Sequence, residues 1–386
     1  MSYRQPTSVL LAASGLSAAG ALVFNVAPAF LAAAGLRYAL SDEQVGWAGS
    51  SYGAGFAVVA LTSFFWIARL NWRRLALLST VAAASSLAAC ALAPGQAVLM
   101  VAMFATGLGC GALYTVGNAV VSENHDPDRA YGVKMSIETF VGVAMLVALS
   151  GLIAERWGFR GVALSIAGLA GLCGLLGVRG TPVQRESGVP MEDGAGSGSR
   201  SGIRDHHWRS WLGLAALLVW FGGIAAIWDF LERMAPTFGL SGTVATRITL
   251  AILVSNAFSG LAPAIIGDRW GRVPPLAFAM LLALVGVLAL SLGHGIYSYV
   301  AGALLTYGLL SLPLSYQMGL IASSDATGRI AAMIPAAMSL GGAIAPAVAG
   351  SILDGTRYTP LYAFTATTTL VSLAAFLLVA RVGPKN

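Results

Sequence analysis

The stretch GDRWGR, residues 267–272, sets two arginines and an aspartate between two long apolar runs. Residues 243–266 upstream carry Arg247 as their only charge, and residues 273–293 downstream carry none. A helix of about 20 apolar residues crosses a hydrocarbon core of about 30 Å, so a charged hinge between two such runs reads as a turn at a bilayer surface. The remainder of the chain is built the same way. Of its 386 residues 57% are hydrophobic and only 10% charged, against roughly 25% charged in soluble domains. Such a chain cannot cover itself with polar surface, and the bilayer is its natural solvent. In hydrocarbon every backbone N–H and C=O must bond internally, which leaves helices or a closed barrel. Barrel strands would alternate apolar and polar residues; these unbroken runs do not, so the expectation is an all-α integral membrane protein.

Apolar windows punctuated by Gly, Pro and charge predict twelve spans, near 8–34, 44–68, 73–93, 95–121, 131–154, 160–178, 209–236, 243–267, 273–293, 295–322, 328–352 and 358–382. The first run is too long for a signal peptide and is expected to be retained. The long polar stretch 179–208 contains GAGSGSRSG, a flexible linker composition. It divides the chain into six-span bundles at 1–178 and 209–386. Of the 22 Lys and Arg, only Arg37, Arg156, Arg160, Arg233, Arg247 and Arg357 fall on the outer side if the N-terminus is cytoplasmic. That bias places both termini and the linker in the cytoplasm and reads the net charge of +6 as a topology signal. Spread over loops rather than gathered on one face, these charges do not suit nucleic acid. Cys90, Cys110 and Cys173 lie inside apolar runs and read as small core residues.

Sliding the chain against itself by 200 residues brings LSDEQVG (40–46) onto LSGTVAT (240–246), Arg69 of IARLNW onto Arg269, and SENHDPDR (122–129) onto ASSDATGR (322–329). The matches fall at polar landmarks, so the halves are repeats. Six spans each is an even number, and both enter the membrane in the same direction, as parallel repeats about an axis along its normal.

Twelve spans, a central linker and GDRWGR between spans 8 and 9 resemble the major facilitator superfamily. Its signature, roughly G-x-x-x-D-R-x-G-R-K/R, follows spans 2 and 8. The second half matches at Asp268, Arg269, Gly271 and Arg272, with Ala264 where the first Gly is expected. The first half keeps Arg69, Arg73 and Arg74, while Ala68 replaces the acid and Asn71 the Gly. ERWGFRG (155–161) after span 5 is also similar to a family habit. The resemblance implies that Asp268 latches the cytoplasmic side by meeting the start of span 5 near Arg129, a contact contributing on the order of 1–2 kcal/mol if partly buried. The mirror latch near Arg329 would lack its anion at Ala68. The alternative is that Asp268 only fixes its local turn. A one-sided latch predicts that Asp268→Asn shifts the resting state inward.

An ionisable group at bilayer depth costs about 2.5–3.5 kcal/mol and tends to be functional. Glu138 lies about two turns into span 5, opposite Met338 in the repeat. It suits proton coupling or cationic-substrate binding; an ion pair with Lys134 or a water-facing carboxylate are the alternatives. Asp229, Glu232 and Arg233 share a face of span 7, either as a second protonatable site or as an outer rim network. By the resemblance, spans 1, 4, 7 and 10 line a central cavity. That assigns to it Phe24, Asn25, Tyr114, Asn118, Trp220, Phe221, Trp228, Tyr307, Ser311, Tyr316 and Gln317. The amides weigh most, since at lipid depth they need partners; aromatic residues there often serve packing.

No metal motif, Walker sequence or nucleophile–base pair is present, so no cofactor and no enzyme is expected. The expected function is secondary active transport by alternating access in the cell membrane, by a monomer, taking a small organic solute with protons. A neutral, aromatic or amphipathic solute fits the cavity set. Span 5 reads FVGVAMLVALSG, without the Pro of the family's drug-antiporter signature, and no Arg lies deep in span 1 or 4 as in its organic-anion importers. Multidrug or metabolite efflux by proton antiport is one alternative; a receptor that binds without flux is another.

Overall fold

The structure is a computed structural model that describes residues 6–40, 42–149, 153–184, 200–266, 270–325, 327–352 and 358–381. Among these residues regular structure is helical throughout. Span 1 comprises Thr7–Asn25 and Ala27–Tyr38; spans 2 to 6 are Asp42–Trp66, Trp72–Leu92, Gln96–Ser122, Pro127–Ala148 and Ala154–Gly180. Span 7 is Arg200–Met234, span 8 Gly242–Ser259 with Ala262–Ile266, and span 9 Val273–Leu292. Span 10 runs Gly295–Ala303, a π-turn Leu304–Gly308, then Ser311–Ser324; spans 11 and 12 are Ile334–Ile352 and Thr359–Arg381. Among the described residues eleven stretches are long and apolar enough to cross a bilayer, and Ala331–Ile344 adds a shorter apolar helix.

Two of the expected continuous spans are broken. Span 1 leaves helical geometry at Val26 (φ −110°, ψ 11°). Pro28 follows two residues later and has no N–H to continue the ladder. Span 10 widens into the π-turn and then departs from helix at Leu309 (φ −105°, ψ 9°) ahead of Pro313. Apolar periodicity does not register either break, because both sides remain hydrophobic.

The repeat appears in the element boundaries. Asp42–Trp66 returns as the stretch from Gly242 to Ile266, and Trp72–Leu92 as Val273–Leu292. It reaches single hydrogen bonds: Leu40 N–H donates to Gly35 C=O at 3.0 Å, and Leu240 N–H to Ala235 C=O at 3.1 Å. The residue between turns left-handed in both halves, Ala39 at φ 50° and Gly239 at φ 75°. This is a helix C-cap that favours glycine.

The chain forms two compact units, Met1–His125 with Ile137–Gly188, and Asp126–Ser136 with Val189–Asn386. The start of span 5 therefore packs with the second unit although it lies in the first half of the sequence. In the first unit, span 4 packs on spans 1, 2 and 3, and span 6 on spans 1 and 3. Spans 2 and 4 are in backbone contact: a Cβ on Gly107 would fall 2.1 Å from Tyr52 O, and one on Gly55 2.1 Å from Phe104 O. Apolar lipid gives helices no hydrophobic reason to associate, so close approach and interhelical hydrogen bonds hold them. In the second unit span 7 packs on spans 11 and 12. Thr365 Oγ1 donates to Gly223 C=O at 2.8 Å and Ser372 Oγ to Ala216 C=O at 2.9 Å. At the linker end of span 7, buried Arg209 donates through Nε and Nη2 to Val379 C=O at 3.1 and 2.7 Å, capping the end of span 12.

An L-residue held left-handed costs roughly 1 kcal/mol. Ala39→Gly should therefore raise stability by about 1 kcal/mol, and Gly239→Ala lower it by a similar amount. Thermal unfolding of the purified protein in detergent reads both; equal midpoints for both variants would contradict the account. Gly107→Val should destabilise by more than about 2 kcal/mol through overpacking against the backbone of span 2.

Candidate functional site

Gly267, Asp268 and Arg269 lie outside the described residues. Gly271 takes φ 66°, the left-handed turn that a Cβ would oppose. Its first-half counterpart, Asn71, is extended instead (φ −72°, ψ 109°), and its side chain accepts from Arg74 N–H at 2.9 Å. The worn copy has thus exchanged a glycine turn for an asparagine N-cap. Arg69 beside it is exposed.

Arg272 makes the ion pair of this turn. Its Nε meets Asp128 Oδ2 and its Nη1 donates to Ser323 Oγ at 2.7 Å. Asp128 is in the first turn of span 5, where a helix favours negative charge, and is only 4% exposed. Gly319 makes its socket, because a Cβ there would fall 1.7 Å from Asp128 Oδ1. The same end of span 5 touches span 8, where a Cβ on Gly132 would fall 2.5 Å from Gly260 O. The sequence placed an ionic contact at the start of span 5 but looked to Asp268 and Arg129 for it. Arg129 is exposed, its backbone N–H held by Asp126 Oδ1 at 3.2 Å. Arg329 is half-buried at the corresponding corner. There Asp325 Oδ2 accepts from the N–H groups of Ile330 and Ala331 at 2.7 and 2.9 Å.

Within the first unit, Glu138 is 4% exposed and accepts from Tyr114 Oη at 3.3 Å. Asn25, at the break in span 1, donates from Nδ2 to Glu138 C=O at 3.2 Å. Gly142 one turn on lets it lie flat, since a Cβ there would fall 2.6 Å from Asn25 Cβ. The Tyr114 ring is 5.8 Å from Phe56, and Phe56 is 6.2 Å from Tyr52, whose Oη donates to Gly20 C=O at 3.3 Å. Tyr114 on span 4 thereby meets the carboxyl, Asn25 of span 1 holds the backbone carbonyl of the same residue, and the ring row runs from Tyr114 to span 2. Asn118 is fully buried on span 4, while Phe24 is 55% exposed. Lys134, one turn before Glu138 in the part of span 5 that belongs to the second unit, is fully buried, its Nζ 3.9 Å from Met135 Sδ.

Within the second unit, Trp228 stacks on Tyr307 at 3.8 Å and 17°. Ser311 donates through both its backbone N–H and Oγ to Asn256 Oδ1, at 2.9 and 2.8 Å. Asn256 therefore caps the helix that restarts after the π-turn. Trp220, Tyr316 and Gln317 are buried, as is Phe221. Among the described residues no hydrogen-bond partner reaches Trp220 Nε1 or Gln317 Oε1, while Gln317 Nε2 lies 3.6 Å from Met280 Sδ. Asp229, Glu232 and Arg233 fall in the last turns of Arg200–Met234, and their side chains lie outside the described residues. Among the described residues no three His, Cys, Asp or Glu gather as a metal site needs.

Sequence reasoning missed Asp128, Tyr52, Phe56 and Asn256 as functional candidates. Asn256 carried the same signal as Asn25, an amide at lipid depth. Asp128 carried only the look of an ordinary first-turn acid.

A profile of the Major Facilitator Superfamily matches residues 9–334. Among solved structures, the transporter FucP in its outward conformation is similar over 100% of both chains, with a TM-score of 0.78 and 18% identity. The human organic anion transporter MFSD10 (TETRAN) is similar over 97% of this chain and 100% of its own, at 0.72 and 18%. The proton:xylose symporter XylE is similar over 98% and 96%, at 0.77 and 13%. At these identities the likeness is one of fold. The multidrug resistance protein Stp of Mycobacterium tuberculosis (strain CDC 1551 / Oshkosh) is 31% identical over 146 residues, 37% of this chain and 26% of that protein. The chain thus spans about a quarter of the length of the curated relatives it matches. With the profile covering most of its length, the chain belongs to the major facilitator superfamily.

Proposed function

We propose that this multi-pass membrane protein is a secondary active transporter. It moves a small organic solute by alternating access and couples that movement to protons through Glu138. The observation that carries the reading is the buried Glu138 carboxyl, within a span and hydrogen-bonded by Tyr114 Oη at 3.3 Å. An ionisable group at bilayer depth is costly and tends to be functional. Its fold neighbours include the E. coli fucose:proton symporter and a proton:xylose symporter, which supports proton coupling. The partial likeness to a multidrug resistance protein supports the second reading, efflux by proton antiport. Asp229 and Glu232 remain the alternative proton site on span 7.

The latch of the arginine-rich side we assign to Asp128, Arg272 and Ser323, with Gly319 as the socket. A half-exposed ion pair alone contributes little. Burial of the acid and the second hydrogen bond to Ser323 make this one stronger.

Two outcomes check these assignments. A thermal-shift screen against organic acids, amines and aromatics supplies a solute. In proteoliposomes Glu138→Gln should then lose accumulation driven by a pH gradient while keeping solute–solute counterflow. Retained pH-driven accumulation would remove Glu138 from the coupling role. For the latch, Asp128→Asn and Arg272→Gln should each raise labelling of cysteines placed on the arginine-rich side by about fivefold, a shift of roughly 1 kcal/mol. The exchange Asp128→Arg with Arg272→Asp should restore part of the protection. Unchanged labelling in both single variants would make the pair a local brace.

A further inference from the structure

The first-half hinge has Ala68 where the second half has Asp268, and we propose that the phosphate of an anionic phospholipid stands in for the lost acid. Its seat is the corner made by Arg69, Arg73, Arg74 and Arg179, all in the first unit. The proposal does not depend on the transport reading. Local folding gathers the four. Span 2 ends at Trp66 and span 3 begins at Trp72, and Trp72 Nε1 draws the hinge tight by donating to Ile67 C=O at 2.7 Å. The chain leaving span 6 is tied to the same place. Trp72 N–H donates to Val183 C=O and Arg73 Nε to Thr181 C=O, both at 2.9 Å. Arg179, in the last turn of span 6, is two residues from that second carbonyl.

The corner is basic without compensation. All four arginines are exposed, and among the described residues none of them pairs with a carboxylate. The first turn of span 3 holds no acid, although two of the arginines stand in it. Like charges held this close repel one another, and an anion between them removes that cost. The repeat sharpens the point. The second-half counterparts of Arg73, Arg74 and Arg179 are Val273, Pro274 and Val379. The half that lost the acid is the half that carries three further cations.

What adjoins the corner selects a lipid over a soluble anion. Leu77, Leu78 and Val81 follow Arg74 by three, four and seven residues, which puts them on one face of span 3; all three are exposed. Leu172, Leu175 and Leu176 precede Arg179 on span 6 by the same intervals and are exposed as well. Phe65, four residues before Arg69, is 71% exposed. Each apolar stripe thus ends in an arginine, whose stem can follow the stripe while its head stays in the phosphate layer. Acyl chains fit the stripes, and guanidinium groups take phosphate oxygens through paired N–H donors. Basic clusters at the ends of spans suit anionic headgroups for this reason. A soluble anion would gain the charge but not the stripes. A zwitterionic lipid would bring its own cation into a corner that already has four.

The test uses the full chain purified in detergent, with cardiolipin, phosphatidylglycerol, phosphatidylcholine and inorganic phosphate as probes. Native mass spectrometry counts the lipid retained and gives its affinity, and thermal unfolding reads the stabilisation. Cardiolipin and phosphatidylglycerol should be retained and raise the unfolding temperature; phosphatidylcholine and inorganic phosphate should do neither. Arg74→Gln with Arg179→Gln should weaken cardiolipin binding by about fivefold per arginine, roughly 25-fold together. Arg74→Lys with Arg179→Lys should keep most of the binding, which separates loss of charge from loss of fold. Ala68→Asp, which restores the acid and removes no arginine, should also weaken binding. Arg247→Gln with Arg381→Gln, an equal loss of exposed charge in the second unit, should leave it unchanged. Equal retention of zwitterionic and anionic lipid, full binding in the double glutamine variant, or the same loss in the second-unit control would each overturn the proposal. Inorganic phosphate matching cardiolipin would overturn it by making the corner a seat for soluble anions. Anionic lipid bound only after Glu186→Gln, Glu192→Gln and Asp193→Asn would overturn it by showing that the linker's own acids hold the corner.

Discussion

An amide inside hydrocarbon has no water to turn to, and this constraint orders the whole molecule. Wherever a span departs from helix, backbone groups lose their partners, and a side chain must stand in. Asn256 does so for the restarted helix at Ser311. Asn25, at the break in span 1, spends its own amide on a carbonyl of span 5. At helix ends Arg209 closes on Val379 and Asp325 on Ile330 and Ala331. These polar residues are placed by backbone geometry first. What remains for chemistry is the smaller set that the backbone does not consume.

The repeat shows how that set arose. In the first half, Gly111 rests on Phe56: a Cβ on it would fall 3.0 Å from Phe56 Cα. Two hundred residues on, the same pair of positions is Ser311 and Asn256, joined by hydrogen bonds. Gly107 lies on the backbone of Tyr52, and its counterpart Tyr307 instead stacks on Trp228. One half closes by glycine contact; the other fills the same stations with side chains and bends its helix to hold them. Glu138 faces Met338 in the repeat and Asp128 faces Gly328. These two buried acids sit where the two copies differ.

Much of this was legible in the sequence. The spans and the 200-residue offset were, because burial in lipid demands long apolar runs and loops collect charge. Gly271 was, because a tight turn leaves no room for Cβ, and Glu138 was, because a carboxyl in such a run is conspicuous. Asp128 was not, because its role depends on Gly319 and Arg272, 191 and 144 residues away in a chain with no local signal linking them. Nor was the partnership of Glu138 with Tyr114 and Asn25, which needs three spans brought together. The π-turn in span 10 was invisible for a different reason: its residues, LLTYG, have the composition of any helix in lipid.

That π-turn sets the angular phase of everything after it. Each residue of an α-helix advances by about 100°, and a π-turn accommodates one residue more than the α-helical count. Trimming a single residue between Leu304 and Gly308 would restore an ordinary helix and rotate Ser311–Ser324 about its axis by roughly that angle. Ser311 would leave Asn256, and Gly319 would leave Asp128, so one local insertion keeps both the midspan cap and the charged corner in register.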